Sequence, residues 1–308
     1  MTMGLSAVAN QNADEREPLV DIGIPSWGRP GYLATAIESV LAQTLGSWRL
    51  VVSEDGPAGG PVAAAVAPYL TDRRIRYTVA GESMGAAGNK TQLIQIGRAP
   101  YVALLDDDDC WESEFLARRV AFLEAHPECG LVFSSMAVID GSGREVGRWT
   151  AGLAEGMQLR VQFVRRLLRS NPIGSSSTLV RRSAYEAVGP VFDGRFPRTY
   201  DYEMWLRLGL RFPVGYLGGY DACWRVHTDQ GSAELGGLVE EYSALVDHMF
   251  ALAQRDQPDL GLSDRERRQK LSSILLTGAL NALEHGDRRT SADCLRTALR
   301  IHPLAIAD

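Results

Sequence analysis

The sequence lacks any apolar run approaching the roughly 18 residues of a membrane-spanning helix, so membrane contact is at most peripheral. It also lacks an excess of positive charge. Lys and Arg number 32 against 38 Asp and Glu, and the net charge of -6 argues against general affinity for nucleic acid or anionic lipid. Cysteine is scarce and scattered, at Cys110, Cys129, Cys223 and Cys294, with no paired metal-ligand spacing. With no signal-peptide pattern at its start, the chain reads as a cytoplasmic protein with reduced thiols, and any membrane contact belongs to the inner face. Repeats and low-complexity tracts are missing too, which disfavours a solenoid. The 308 residues have ordinary apolar and charged fractions, enough for a sizeable core in one large domain with an appendage.

What is present is organised around residues 101–111, which read Tyr-Val-Ala-Leu-Leu-Asp-Asp-Asp-Asp-Cys-Trp. An apolar stretch of buried-strand character runs straight into Asp106, Asp107, Asp108 and Asp109. A helical pattern follows, with Leu116, Val120 and Leu123 at i, i+4 and i+7. The dipole of that helix accounts for one or two acids at its start. Four exceed that account, because carboxylates packed so closely repel unless a cation or hydrogen-bond donors compensate them. The carboxyl end of a strand is also where open α/β sheets hold ligands. A divalent-metal site is therefore expected here.

Residues 1–18 are polar, lack periodicity and read as a disordered leader. Strands are predicted over 19–24, 48–53 and 75–79, with helical stretches over 33–45 and 89–96. This alternation predicts an α/β fold with a mostly parallel central sheet flanked by helices. Further on, strands are predicted over 130–139 and 175–180, helices over 157–169, 184–188 and 202–210, and a glycine-punctuated strand over 215–227. From Leu238 the composition is helical, with Pro258 and Gly286 separating three candidate helices, the last over 290–301. This tail is a candidate for packing or for a homodimer. Three strand ends then offer polar groups on one edge: Pro25-Ser26-Trp27-Gly28-Arg29-Pro30-Gly31, Glu54-Asp55-Gly56 and the four aspartates. Each alone is ordinary turn chemistry; jointly they favour a ligand site.

Residues 20–109 resemble the donor-binding half of a family-2 glycosyltransferase with the GT-A fold. The resemblance rests on residues 22–30, on Ala36-Ile37-Glu38-Ser39-Val40-Leu41-Ala42-Gln43-Thr44, on Ser53-Glu54-Asp55-Gly56 and on Leu105 to Asp109. It extends through 173–225 and fades beyond about Ser232. It implies a GT-A domain over 19–230, with a nucleotide-binding half over 19–110 and an acceptor-binding half over 111–230. A C-terminal helical region covers 231–308. By the same resemblance, Pro25, Ser26, Trp27 and Arg29 line the donor nucleotide and Asp55, or its neighbour Glu54, accepts hydrogen bonds from the base. Asp106 and Asp107 lie near the ribose and donor sugar, and Asp108 ligates Mn²⁺ or Mg²⁺. Asp109 either orients those groups or starts the helix. Asn89 fits the family's pattern, but Gly88 stands where an arginine is common. Lys90 either substitutes for that arginine or is a solvated lysine at a helix start.

In the second half, Thr199-Tyr200-Asp201-Tyr202-Glu203-Met204-Trp205-Leu206 is similar to the family's acidic pair followed by an aromatic helix, with Tyr200 in place of the first acid. The match implies Asp201 as general base; a helix N-cap is the competing role. Trp224-Arg225-Val226-His227 resembles a late motif whose histidine or arginine lies near the diphosphate and metal, which makes His227 a candidate ligand. Pairing with an acid inside the fold is the competing role for Arg225. Small polar groups over 171–177 are candidates for the donor sugar, and Tyr200, Tyr202 and Trp205 for an acceptor-sugar platform, with Trp205 also a core candidate.

The resulting reading is an inverting, metal-dependent glycosyltransferase. Its donor is a nucleotide-diphosphate sugar, UDP-linked by default, and its acceptor a saccharide, lipid-linked or secondary-metabolite hydroxyl. Two rivals stand beside it: a sugar-nucleotide-forming nucleotidyltransferase, for which the loop over 25–31 is a poor glycine-rich basic loop, and a non-catalytic sugar-nucleotide binder.

Overall fold

The computed structural model describes residues 17–28, 30–57, 60–189, 191–227, 238–284 and 286–302. Arg29 and all but the last two residues of the expected leader lie outside them. The chain opens with β1 (Val20–Ser26), α1 (Pro30–Leu41), β2 (Trp48–Glu54), α2 (Pro61–Val66), β3 (Ile75–Val79), α3 (Gly85–Ile96) and β4 (Tyr101–Leu104). These strands pair in the order β3-β2-β1-β4, parallel throughout. Their carboxyl ends therefore share one edge, and the β1, β2 and β4 ends carry the three polar turns. Gly23 in β1 has a packing reason: a Cβ there would sit 2.9 Å from Leu104 Cδ2 and 2.9 Å from Leu93 Cβ, so α3 could not lie as close.

Beyond β4 the sheet becomes mixed. β5 (Cys110–Trp111), α4 (Phe115–Ala125), β6 (Leu131–Ile139), β7 (Glu145–Trp149), β8 (Gly156–Gln158) and α5 (Arg160–Arg169) come next. They are followed by β9 (Thr178–Arg181), α6 (Arg182–Val188), α7 (Tyr200–Arg211) and β10 (Val214–Arg225). The order continues from β4 through β9, β6 and β10 to β5, with β7 beside β6 and β8 beside β10. β9 runs antiparallel to both β4 and β6, whereas β10 is parallel to β6. Parallel character thus belongs chiefly to the first half.

Two apolar clusters cover the two faces of the sheet. Leu33, Ile37 and Val40 of α1 pack with Leu116, Val120 and Leu123 of α4 on one face. On the other, Leu93 of α3, Phe163 and Leu167 of α5 and Trp205 and Leu208 of α7 meet Leu245 and Met249 of the tail. Each such buried side chain contributes about 1.5–3 kcal/mol. Buried ion pairs join the layers as well. Asp21 accepts from Arg49 at 2.6 Å and Arg182 at 2.7 Å, and Asp221 from Arg119 at 2.9 Å.

The tail forms α8 (Leu238–Asp256), α9 (Asp264–Glu284) and α10 (Arg288–Ile301). α9 and α10 pair through Leu275, Ala279, Cys294 and Ala298, and Asp287 caps α10 by accepting from Thr290 N–H at 3.0 Å. No helix among the described residues is long and apolar enough to cross a membrane.

Candidate active site

The three polar turns are tied to one another. Ser26, at the end of β1, donates from Oγ to Asp107 Oδ2 at 2.7 Å, and its carbonyl accepts from Asp55 N–H at 2.9 Å. Pro25 stands opposite Ser53 in the β1–β2 register, while the Trp27 side chain is 71% exposed. Asp55 is buried and takes Ser83 Oγ at 3.0 Å and Met84 N–H at 2.7 Å, which fixes the first turn of α3. Glu54 accepts from the Tyr77 hydroxyl. Of the two acids at this turn, Asp55 faces the start of α3 and Glu54 faces β3. Asn89 is buried and donates from Nδ2 to the Ser53 carbonyl at 2.9 Å, while its Oδ1 has no protein partner.

The four aspartates divide the work of their turn. Asp106 is partly exposed and pairs with Lys90 Nζ at 2.6 Å, and its backbone N–H donates to Ser176 Oγ at 3.1 Å. Asp107 is fully buried against Ser26. Asp108 Oδ2 lies 3.1 Å from His227 Nε2, so a carboxylate oxygen and an imidazole nitrogen meet where β10 ends. Asp109 is buried and accepts Ser176 Oγ at 2.6 Å and Arg225 N–H at 2.9 Å. Burial, followed by Asp106 and Asp108, pushes its pKa well above the usual carboxylate range. α4 begins only at Phe115, so Asp109 does not start that helix. Arg225 donates from Nε to the Asp108 carbonyl at 2.8 Å and lies over the Tyr32 ring, which also meets His227 at 4.9 Å between centroids.

Lys90 is not the solvated lysine of the simpler expectation. It is buried, bonded to Ser175 Oγ at 3.1 Å and to Asp106, and stands 5.5 Å from the centre of the Tyr200 ring. Burial alone would pull its pKa down, but Asp106, Tyr200 and Asp201 outweigh it and hold the ammonium well above its ordinary value. Gly88 is not an open place for an arginine either. A Cβ there would lie 2.6 Å from Met84 Cβ.

Asp201 sits in the first turn of α7, one residue inside the helix, with Thr199 at the N-cap position. It is therefore not the N-cap; its Oδ1 accepts from the Tyr202 N–H at 2.7 Å. Burial pushes its pKa up to about 6 against the opposing pull of Lys90. The helix start is held from the tail instead. Glu241 of α8 accepts from Arg198 N–H, Thr199 N–H and Thr199 Oγ1 at 2.9, 2.9 and 2.8 Å. Glu203 points elsewhere and is buried, taking Arg207 Nε on both oxygens at 2.9 and 2.8 Å and lying 3.2 Å from His248. Asp193, Glu203 and His248 bring ligand atoms within 4.8 Å of one another, but Arg195 and Arg207 already neutralise the two acids.

The family model described as Glycosyl transferase family 2 matches residues 21–189, more than half of the chain. The chain belongs to glycosyl transferase family 2. An uncharacterised glycosyltransferase of Methanocaldococcus jannaschii is 23% identical over 193 residues, which take in 62% of this chain and 64% of that one. The chain thus spans just under two thirds of that relative's length. An Escherichia coli protein named UDP-Glc:alpha-D-GlcNAc-diphosphoundecaprenol beta-1,3-glucosyltransferase is 23% identical over 190 residues, 62% of this chain and 69% of its own. Among solved structures, a mannosyltransferase from Pyrobaculum calidifontis, in complex with GDP-Man and Mn²⁺, superposes with a TM-score of 0.55 at 14% identity, over 95% of this chain and 87% of its own. At that identity the likeness shows the fold.

In this family-2 chain the expected aromatic platform is absent. Tyr200, Tyr202 and Trp205 are all buried, with Tyr202 bonded to the Leu167 carbonyl. The helical period of 202–210 could not show which face would be covered, because α8 arrives from the tail. Besides the exposed Trp27, Trp224 is exposed and lies beside the half-buried Trp149, with ring centroids 6.4 Å apart. The cysteines are less scattered in space than in sequence: Cys110 and Cys223 face each other across the β5–β10 ladder. Their distance of more than a hundred residues hid that pairing.

Proposed function

We propose that this protein is an inverting glycosyltransferase that depends on a divalent metal ion. It moves a sugar from a nucleotide-diphosphate donor, with uridine the first base to test, to a hydroxyl of a saccharide, lipid-linked or small-molecule acceptor. The observation that carries the reading is Lys90, which is buried between the two halves. It pairs with Asp106 of the aspartate edge at 2.6 Å and stands 5.5 Å from the centre of the Tyr200 ring, next to Asp201 on α7, where it opposes the burial that raises the Asp201 pKa; this supports placing both acids in one site.

Asp108 and His227 would hold the ion, and one oxygen with one nitrogen donor favours Mn²⁺ over Mg²⁺, which prefers oxygen alone. When bound, such an ion neutralises charge on a diphosphate leaving group. The protein's residues do the rest. Asp55 receives hydrogen bonds from the base, Asp106 orients the donor sugar with Lys90, and Asp201 takes the proton of the acceptor hydroxyl as its oxygen bonds to the anomeric carbon. The bond from that carbon to the diphosphate breaks, and its electron pair leaves with the nucleoside diphosphate. A base whose pKa lies near 6 is charged at neutral pH yet basic enough to accept a proton during the displacement.

The E. coli relative named for a diphosphoundecaprenol acceptor supports the lipid-linked class, and the absence of a spanning helix among the described residues fits a cytoplasmic enzyme with peripheral contact. The test is a panel of UDP-, GDP- and dTDP-sugars with Mn²⁺ and saccharide acceptors, read by nucleoside diphosphate release and by NMR of the new anomeric centre. Transfer with inverted configuration supports the reading. Retained configuration contradicts the direct displacement, formation of a nucleotide sugar points to a nucleotidyltransferase, and binding without turnover to a non-catalytic binder.

A further inference from the structure

We propose that Trp149 and Trp224 form a stacking platform for a pyranose ring of the acceptor. The inference rests on the glycosyltransferase reading and adds the place where the acceptor lies. The two indoles come from strands on either side of β6. Trp149 stands opposite Met136, and Trp224 opposite Val138. Residues two apart on a strand share a face, so both rings lie on the same side of the sheet, with planes inclined at 59°.

That side is the one covered by α1 and α4, against which Trp149 packs, and the connection to the site runs through the segment after Asn171. Met136 and Trp149 close on Gly174, where a Cβ would sit 2.3 Å from Met136 Sδ and 2.7 Å from the Trp149 ring. The next residues, Ser175 and Ser176, bond Lys90 Nζ and Asp109 respectively. From Trp224 the chain passes directly to Arg225, whose N–H donates to Asp109 Oδ1. The platform is therefore linked by single residues to both the aspartate edge and the lysine beside Asp201.

Its distance from the base-binding turn decides which ligand it fits. β2 and β6 are separated by β1, β4 and β9. At about 4.8 Å per strand, that places β6 roughly 19 Å along the sheet from β2 and Trp224, one strand further on β10, roughly 24 Å. A nucleobase held at Asp55 does not stack there, whereas an acceptor on the far side of the transferred sugar does. Trp224 is 38% exposed and Trp149 half-buried. Exposed indole faces at the rim of a polar site suit a ligand with one apolar face and hydroxyls at its edge, which describes a pyranose.

The test uses methyl pyranosides (gluco, galacto, manno, and N-acetylglucosamine) in saturation-transfer NMR with the full-length protein, UDP, GDP or dTDP, and Mn²⁺. The wild type is expected to transfer saturation to the ring C–H groups of at least one pyranoside. Trp224→Ala should weaken that binding roughly tenfold or more, as truncating a tryptophan anchor does. Trp224→Tyr should restore most of it. Trp224→Leu keeps apolar packing against Trp149 but lacks a flat face, so it should behave like alanine even if alanine disturbs the strand. Nucleotide affinity should move less than twofold in the tyrosine and leucine variants. No saturation transfer in the wild type, or undiminished transfer in both Trp224→Ala and Trp224→Leu, overturns the platform. Loss of nucleotide binding by the wild type would overturn the glycosyltransferase reading instead.

Discussion

Asp201→Asn should make the protein more stable and far less active, and the two effects have separable magnitudes. The carboxyl has its pKa pushed from an ordinary 3.8 to about 6 by burial. At about 1.4 kcal/mol per tenfold change, that gap means the ionised group costs the native state up to about 3 kcal/mol at neutral pH. The sign follows from proton binding. The native state holds the proton more tightly than the unfolded chain, so this contribution falls as pH rises from about 4 to about 6 and is level above. Asparagine removes the charge and retains an acceptor for the Tyr202 N–H. The variant should melt roughly 4–5 °C higher than wild type at pH 7.5, a gain that fades below pH 4. Its single-turnover transfer should drop by about 10²–10⁴-fold, the usual loss when a general base is removed. Differential scanning fluorimetry across pH and rapid-quench transfer on one preparation measure both. A lower melting temperature with near-normal transfer would refute the reasoning and return Asp201 to a structural role in the first turn of α7.

Lys90→Met should raise the Asp201 pKa further, because Lys90 opposes the effect of burial. The acid limb of the transfer rate, expected near pH 6 in the wild type, should then move to higher pH in a rate profile. Asp55→Ala should flatten discrimination among UDP, GDP and dTDP in calorimetry and cost about 1 kcal/mol by freeing the Met84 N–H at the start of α3, whereas Asp55→Asn should keep the stability. Glu203→Leu leaves Arg207 without its carboxylate and should destabilise by about 3–5 kcal/mol in denaturant titration, with transfer per folded molecule little changed.

Much of the first half of the fold was legible because its signals are local. A strand running into Asp106–Asp109, an apolar stripe at Leu33, Ile37 and Val40, and a turn at Glu54–Gly56 each depend on residues close in sequence. Parallel pairing then puts the turns on one edge without further information. The second half was less legible because its elements take their places from distant partners. β5 has only Cys110 and Trp111 and exists through β10, more than a hundred residues later. β7 has exposed side chains at Glu145, Val146 and Arg148, so no alternation marks it. Lys90 had no feature in sequence to separate a buried cation from a solvated one; Asp106 and Ser175 make the difference. Glu241 was unreadable for the same reason, since its role at the start of α7 depends on how α8 packs against it.

The central claim is that the aspartate edge binds a nucleotide and a divalent ion together. Isothermal titration of the wild-type protein with UDP, GDP and dTDP, in Mn²⁺ and again in EDTA, tests it most directly. Affinity for one of the three should be at least about tenfold tighter with Mn²⁺ under the proposal that Asp108 and His227, 3.1 Å apart, hold an ion beside the donor diphosphate. Equal affinity in EDTA, or no binding of any nucleotide under either condition, would contradict the account.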